Sequence, residues 1–278
     1  MSAPNIALRI FKLFYMRDPR YGRLSKLPGA ARLIERLLFD GDHMVALPRD
    51  AVVKINQEID GPVQFVLPSQ LVDYFIDRSV YHWIMNFCIC RRSNPCKDYP
   101  IELGCLFMGE PVMDINPRWG RRVNKTEAKA HIRRCQEAGL IHFIGRSKLD
   151  TVWLGLGPKA GHKLLTVCNC CPCCCITRPA AYMDRRLSDK LKRAPGVSVT
   201  VTDDCVGCGR CVQEGCFIHA LHMENGRAVI DEECRGCGRC VERCPQGAIQ
   251  MTVEPELFMQ ATIDQITGVI DIPPAADS

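Results

Sequence analysis

The sequence predicts an α+β protein in which a mixed helix-and-strand region precedes a compact C-terminal module. Three observations predict it. Apolar residues recur at helical spacing beside short alternating stretches through the first two thirds of the chain. A run of four cysteines occurs twice near the C-terminus, Cys205, Cys208 and Cys211 being followed 29 residues later by Cys234, Cys237 and Cys240. Between the two runs Asn225-Gly226 separates two short apolar stretches, a strong signal for a hairpin.

Residues 1–80 form a first region without cysteine. Ile6, Ile10, Leu13 and Phe14 fall on one helical face, with Arg9, Lys12 and Arg17 nearby, so this helix is expected to pack on the protein or to lie on a membrane surface or partner. Leu33, Ile34, Leu37 and Leu38 predict a second helix that Gly41 ends. Val52 to Ile59 reads as a strand, and Ser69 as the cap of a helix through Leu71, Val72, Phe75 and Ile76.

Residues 81–179 form a cysteine-rich unit, opened by Cys88-Ile-Cys90-Arg91 and closed by the segment from Cys168 to Cys175. Asn124 and Glu127 predict a capping box, Ala128, Ile132 and Cys135 share the buried face of the helix it starts, and Gly139 ends that helix. Leu140 to Ile144 and Thr151 to Leu154 are expected as short strands, so that helix and ribbon together are winged-helix-like, although no second helix of a helix-turn-helix pair is evident. Cys135 reads as core rather than ligand. Residues 180–195 are expected as a basic linker helix, centred on Met183 to Arg193 and ended by Pro195-Gly196.

The C-terminal module covers residues 196–253. Val197, Val199 and Val201 alternate as a strand, Ile249 and Met251 do so after the second cysteine run, and Leu221–Met223 and Ala228–Ile230 flank the Asn-Gly turn. Residues 254–278 are expected as an acidic tail, since Val253 to Ser278 holds five acids and no base.

Nineteen cysteines in 278 residues are crosslinks or metal ligands, and their placement decides between them. No cleavable leader is evident, because Arg9 and Lys12 interrupt the apolar start, and no stretch approaches the roughly 18–20 apolar residues of a membrane span. A reducing cytoplasm, where thiols remain free to hold metal, is the expected setting. Three cysteines at successive spacings of three can wrap a loop around a metal cluster and leave one corner for a fourth. The runs here are Cys205-x2-Cys208-x2-Cys211-x4-Cys216 and Cys234-x2-Cys237-x2-Cys240-x3-Cys244-Pro245. A zinc ribbon needs only two Cys-x-x-Cys pairs, which leaves half of these ligands without a purpose.

These residues resemble the two-cluster bacterial ferredoxins over about residues 196–253. In that pattern the fourth cysteine of each run ligates the other cluster. The resemblance implies two [4Fe-4S] clusters, one held by Cys205, Cys208, Cys211 and Cys244 and the other by Cys234, Cys237, Cys240 and Cys216. The first run departs from the family: Cys216 sits one residue late and precedes Phe217 instead of proline. Glycines 207, 209, 236 and 238 are expected to let backbone amides approach cluster sulfurs.

Residues 85–175 resemble a poorly characterised group of ferredoxin-bearing proteins of anaerobes, on Cys88-x-Cys90-Arg91, Cys96, Leu103-Gly-Cys105-Leu-Phe, Glu137-Ala-Gly-Leu-Ile-His142 and Cys168-Asn-Cys170-Cys171. The resemblance implies a redox role. A third metal site, iron–sulfur or zinc, is expected from Cys88, Cys90, Cys96, Cys105, Cys168, Cys170, Cys171 and Cys174. Extended neighbours point to opposite faces, so without sharp turns the six cysteines of the last segment cannot share one ion. His131, His142, His219 and His222 lack ligand spacing and read as surface or core residues.

No phosphate-binding loop, dinucleotide fingerprint or nucleophile triad accompanies these cysteines. The function expected is therefore electron transfer in anaerobic metabolism, to or from a partner oxidoreductase. A reductase acting at the middle cysteines and a redox sensor are the alternatives. The net charge of +5 does not itself argue for nucleic acid, but Arg118, Arg121, Arg122, Lys125, Lys129, Arg133 and Arg134 form a basic segment suited to an acidic redox partner.

Overall fold

The structure is a computed structural model that describes residues 19–50, 67–213 and 216–272. The helix expected over residues 6–14 and the strand over 52–59 lie outside the described residues. Helices α1 (Ala30–Ile34), α2 (Pro68–Arg78), α3 (Ile89–Ser93), α4 (Lys125–Glu137), α5 (Lys148–Trp153), α6 (Arg185–Ser188), α7 (Arg210–Gln213), α8 (Arg239–Arg243) and α9 (Pro255–Thr267) alternate with eleven strands. Strands β1 (His43–Leu47), β2 (His82–Met85), β3 (Leu106–Met108), β4 (Gly120–Val123), β5 (Ile141–Arg146), β6 (Leu165–Cys170) and β7 (Leu191–Arg193) build one sheet in the order β4-β2-β3-β6-β5-β1-β7. All neighbours in it are antiparallel except β1 and β7.

Alternation along the strands divides this sheet into two faces with different tasks. Val45, Leu47, Ile144, Leu165 and Val167 face a core closed by Leu71, Val72, Phe75 and Ile76 of α2, Ala128 and Ile132 of α4, and Phe258 and Ile266 of α9. Their neighbours Met44, Ala46, Ile141, Phe143, Cys168 and Cys170 point the other way, toward Phe217 and Ile218 of the C-terminal module. The cysteines of β6 thus lie on the face away from α2, α4 and α9.

The C-terminal module contains two ribbons. Strand β8 (Val197–Val201) pairs with β11 (Ile249–Val253), and β9 (Leu221–Glu224) with β10 (Arg227–Ile230). Asn225 and Gly226 take φ 48° and 78°, the left-handed pair the expected hairpin turn requires. Among the described residues no helix is long and apolar enough to cross a membrane.

Several expected elements differ. Ser69 is not the cap of α2. Leu67 holds that place, its N–H donating to Gln70 Oε1 at 2.7 Å, with Pro68 in the first turn and the Ser69 N–H given to Asp50. The capping box of α4 forms as expected, Asn124 Oδ1 accepting from the Glu127 N–H at 2.8 Å. Residues 151–154 are not a strand. Thr151 hydrogen-bonds back to Lys148 O, and Asp42 accepts the Lys148 N–H, which fixes α5 and removes the winged-helix ribbon. Strand β5 lies inside the seven-stranded sheet instead.

The linker expected as one basic helix is a single turn, α6, followed by β7. Asp184 caps the turn, and Lys190 O accepts the Met44 N–H as the chain joins the sheet edge. Leu33 and Leu37 in the α1 segment stay about 60% exposed. The acidic tail begins as helix α9, whose Phe258 and Ile266 are fully buried, because the acids take the outer face of an amphipathic segment.

Candidate metal centres

The two cysteine runs fold into matching loops. Each run bends through glycines in the left-handed region, Gly207 and Gly209 in the first, Gly236 and Gly238 in the second. A Cβ on Gly207 would stand 2.2 Å from Gly226 O, so only glycine permits that approach. The fourth cysteine of each run ends in the same local contact. The Ala220 N–H donates to Cys216 Sγ, and the Ala248 N–H to Cys244 Sγ, both at 3.2 Å. Ala220 and Ala248 are buried at these equivalent positions, where a larger side chain would obstruct the loops.

The runs exchange their fourth members. Cys216, Cys234, Cys237 and Cys240 line one enclosed cavity with Gly238 and Ala220. Burial pushes the Cys216 thiol up to about 11, and the neighbouring Cys237 and Cys234 sulfurs add to the effect. Cys240 is raised by burial and by Cys237, Cys234 and Cys216. In the other set, burial raises Cys211, whose sulfur neighbours are Cys244 and Cys208. Backbone N–H groups of Ala228 and Gly207 hold Cys205 below the usual thiol range.

This donor set suits an iron–sulfur core. Buried thiols that repel one another when ionised are stabilised as thiolates only by positive charge between them, and the amide N–H groups aimed at sulfur accommodate that charge state. Residues 228–250 match the 4Fe-4S binding domain family. The chain therefore carries a 4Fe-4S binding domain. The matched stretch runs from β10 through Cys234, Cys237, Cys240 and Cys244 to β11. The first run, with its late Cys216 and Phe217, lies outside it. No curated protein and no solved structure matches the chain.

The cysteine-rich unit holds two groups of thiols, in keeping with the expectation that some cysteines of its last segment serve a second site or stay free. Cys96, Cys171, Cys173 and Cys174 bring their four sulfurs within 4.8 Å of one another. Tetrahedral thiolates on one ion, at about 2.3 Å from the metal, stand about 3.8 Å apart, so this group fits a single ion. Cys173 contacts both Cys96 and Cys174 at 3.5 Å.

The second group is a chain of thiols. The thiols are free and hydrogen-bonded in sequence: Cys88 to Cys90, Cys90 to Cys175, Cys175 to Cys170 at 3.1 Å, Cys170 to Cys168, and Cys168 to Cys105 at 3.7 Å. The eight candidate ligands of this unit divide between the two groups. Cys96, Cys171 and Cys174 lie in the first group with Cys173, and Cys88, Cys90, Cys105, Cys168 and Cys170 lie in the second with Cys175, Cys173 and Cys175 being the two members outside the candidate set. The signal for them was Pro172. Strand β6 ends at Cys170 and the chain turns through residues 172–174, so extended alternation stops where the second set of thiols begins.

Between the groups lies Arg91, fully buried. It donates to Asn169 O at 2.8 Å and to Leu103 O. Burial disfavours its charge, and the surrounding sulfurs of Cys88, Cys171, Cys170 and Cys105 oppose that and raise its pKa.

Cys135 is core, as expected, and burial pushes its thiol up to about 12. His131 and His142 are buried, each with one ring nitrogen at hydrogen-bond distance from Gly104 O or Asn169 Oδ1 and the other without a partner, and burial lowers His142 to about 4. His219 stacks edge-on against Tyr182, while His222 faces Asp231 at 3.4 Å. None of the four belongs to either thiol group.

Proposed function

We propose that this protein is an iron–sulfur electron-transfer protein carrying two [4Fe-4S] clusters, one on Cys205, Cys208, Cys211 and Cys244 and one on Cys216, Cys234, Cys237 and Cys240. The observation that carries this reading is the exchange of fourth cysteines. Cys216, from the first run, lines the same cavity as the three cysteines of the second. A bound cluster supplies a reversible one-electron couple. The chain does the rest. Its thiolates hold the core, the N–H groups of Ala220, Ala248 and Gly236 donate to ligand sulfurs and stabilise the more negative state, and Phe217 and Ile218 keep water from the second set.

The proposal extends to a third centre, a single zinc or iron ion on Cys96, Cys171, Cys173 and Cys174, supported by the convergence of their sulfurs. With four protein thiolates it is coordinatively closed and serves structure. The partner proposed is an acidic redox protein, docking on exposed Arg118, Arg122, Arg133 and Arg134 around β4 and α4. Neighbouring Arg121 and Lys129 are already engaged by Glu127 and Asp77.

The test is stepwise reduction of protein purified without oxygen, followed by visible absorption. Bleaching near 400 nm that is complete after roughly one electron per cluster supports the reading. A protein that accepts no electrons, or that holds only zinc, contradicts it.

A further inference from the structure

Residues 19–39 meet the body of the protein with one side and leave the other open. The 3-10 helix Pro19–Lys26 bends at Gly29 into α1, which continues as a π-helical turn over Glu35–Phe39, and the segments on either side of the bend touch. Their inner side is fastened down. A Cβ on Gly22 would stand 2.8 Å from Pro179 O, the Asp184 N–H donates to Ser25 Oγ at 2.8 Å, Lys148 Nζ donates to Arg36 O at 2.8 Å, and Glu35 pairs with Lys190 at 2.7 Å.

The outer side carries leucines. Leu24 and Leu27 lie one 3-10 turn apart and Leu33 and Leu37 one helical turn apart, so each pair shares a face. All four are 58–61% exposed. Single exposed leucines are ordinary on a protein surface, whereas four on two touching segments make an apolar patch that the described residues leave uncovered.

The charges around the patch indicate what covers it. Lys26, Arg32 and Arg36 are exposed among the leucines, and exposed Arg23 lies over the Tyr182 ring. Residues 19–39 hold five bases and a single acid, Glu35, which Lys190 and Arg186 already engage. Lys26 to Gly29 are exposed without interruption, and a Cβ on Gly29 would meet nothing within 4 Å, so the bend protrudes. A protein partner would need a pocket matched to this tip. Lipid gives way around it and offers anionic headgroups to the bases.

We propose that this tip docks the protein on an anionic lipid surface, with Leu24, Leu27, Leu33 and Leu37 entering the boundary between headgroups and acyl chains and Lys26, Arg32 and Arg36 holding the headgroups. Apolar burial and charge attraction add, so the attachment is reversible and weakens as salt rises.

Flotation of the full chain with vesicles of phosphatidylcholine and phosphatidylserine, beside vesicles of phosphatidylcholine alone, tests this. The protein is expected to float with the mixed vesicles and to bind the neutral ones at least about tenfold more weakly. Lys26→Gln with Arg32→Gln is expected to weaken binding by about 25-fold, roughly fivefold per base. Leu33→Ser with Leu37→Ser is expected to weaken it at least about tenfold while circular dichroism stays that of wild type, because both side chains are exposed. Absence of flotation, equal binding to both kinds of vesicle, or wild-type binding by the Leu33→Ser, Leu37→Ser chain overturns the proposal. Binding that is lost in Ile10→Ser with Leu13→Ser but kept in the Leu33→Ser, Leu37→Ser chain overturns it in favour of the preceding segment. A wild-type dimer that does not float, and that the Leu33→Ser, Leu37→Ser chain fails to form, overturns it in favour of a second copy. Flotation needs no cluster, so its outcome is independent of the electron-transfer reading.

Discussion

The two cysteine sets of the C-terminal module differ in exposure more than in sequence. The outer set, Cys205, Cys208, Cys211 and Cys244, includes the exposed Cys208 beside the buried Cys211, and Val206 between its first two members is 66% exposed. The inner set, Cys216, Cys234, Cys237 and Cys240, lies under Phe217, Ile218 and Arg239, against the thiols of β6. One set thus has a member open to solvent, while no member of the other is exposed. A duplicated unit becomes directional when its two copies meet different surroundings, and potential follows from burial and hydrogen bonding at each copy.

The largest effect is expected from removing one ligand in each set. Cys237→Ser and Cys208→Ser each lose about four irons, but the inner change also leaves buried thiols without metal at the contact with the sheet. Anaerobic thermal denaturation should show the larger loss for Cys237→Ser. Equal losses would break the distinction between inner and outer.

Phe217→Ala follows. Phe217 is buried, packs edge-on against Phe143 and lies beneath Arg239 at 5.9 Å, so truncation should cost about 3–5 kcal/mol and loosen the module from the sheet. Denaturant unfolding measures the cost. A loss below about 1 kcal/mol would mean that the module does not depend on this contact.

Glycines sharpen the comparison within the outer loop. Gly207→Ala drives a Cβ into Gly226 O and should cost about 3 kcal/mol with an altered outer-cluster spectrum. Gly209→Ala meets nothing within 4 Å and costs only the left-handed backbone, about 1 kcal/mol. Identical behaviour of the two would show that the close approach to Gly226 is not what shapes the loop.

A pH-dependent effect lies at Asp42, at the rim of the cavity beside Cys168 and Cys170, where burial raises the carboxyl to about 7 although the Lys148 N–H opposes the shift. The folded protein keeps a proton that the unfolded chain has released, so stability from this group is full below about pH 4 and is lost as pH rises toward 7. Asp42→Asn retains an acceptor for Lys148 and should flatten that part of the stability profile. An unchanged slope would assign it to other groups.

The C-terminal module was the most legible part of the sequence, because its ligand spacing, Asn225-Gly226 turn and alternating valines are all local signals. The α4 capping box was legible for the same reason. Residues 151–154 were misread because β-branched Thr151 and Val152 suggest a strand, whereas Asp42, over a hundred residues away, anchors the turn into α5. The division of the middle cysteines was illegible beyond the constraint that six could not share one ion. It depends on pairing β6 with β3 and β5, which brings Cys105 beside Cys168, and on the turn at Pro172, which carries Cys173 and Cys174 to Cys96.

The most direct measurement is electron paramagnetic resonance of the dithionite-reduced protein, with Cys216→Ser beside wild type. Wild type should give the broadened spectrum of interacting paramagnets, and Cys216→Ser should lose the signal of the set holding Cys234, Cys237 and Cys240 while keeping the other. A wild-type spectrum from one isolated centre, or a Cys216→Ser spectrum identical to wild type, would contradict two clusters joined by exchanged cysteines.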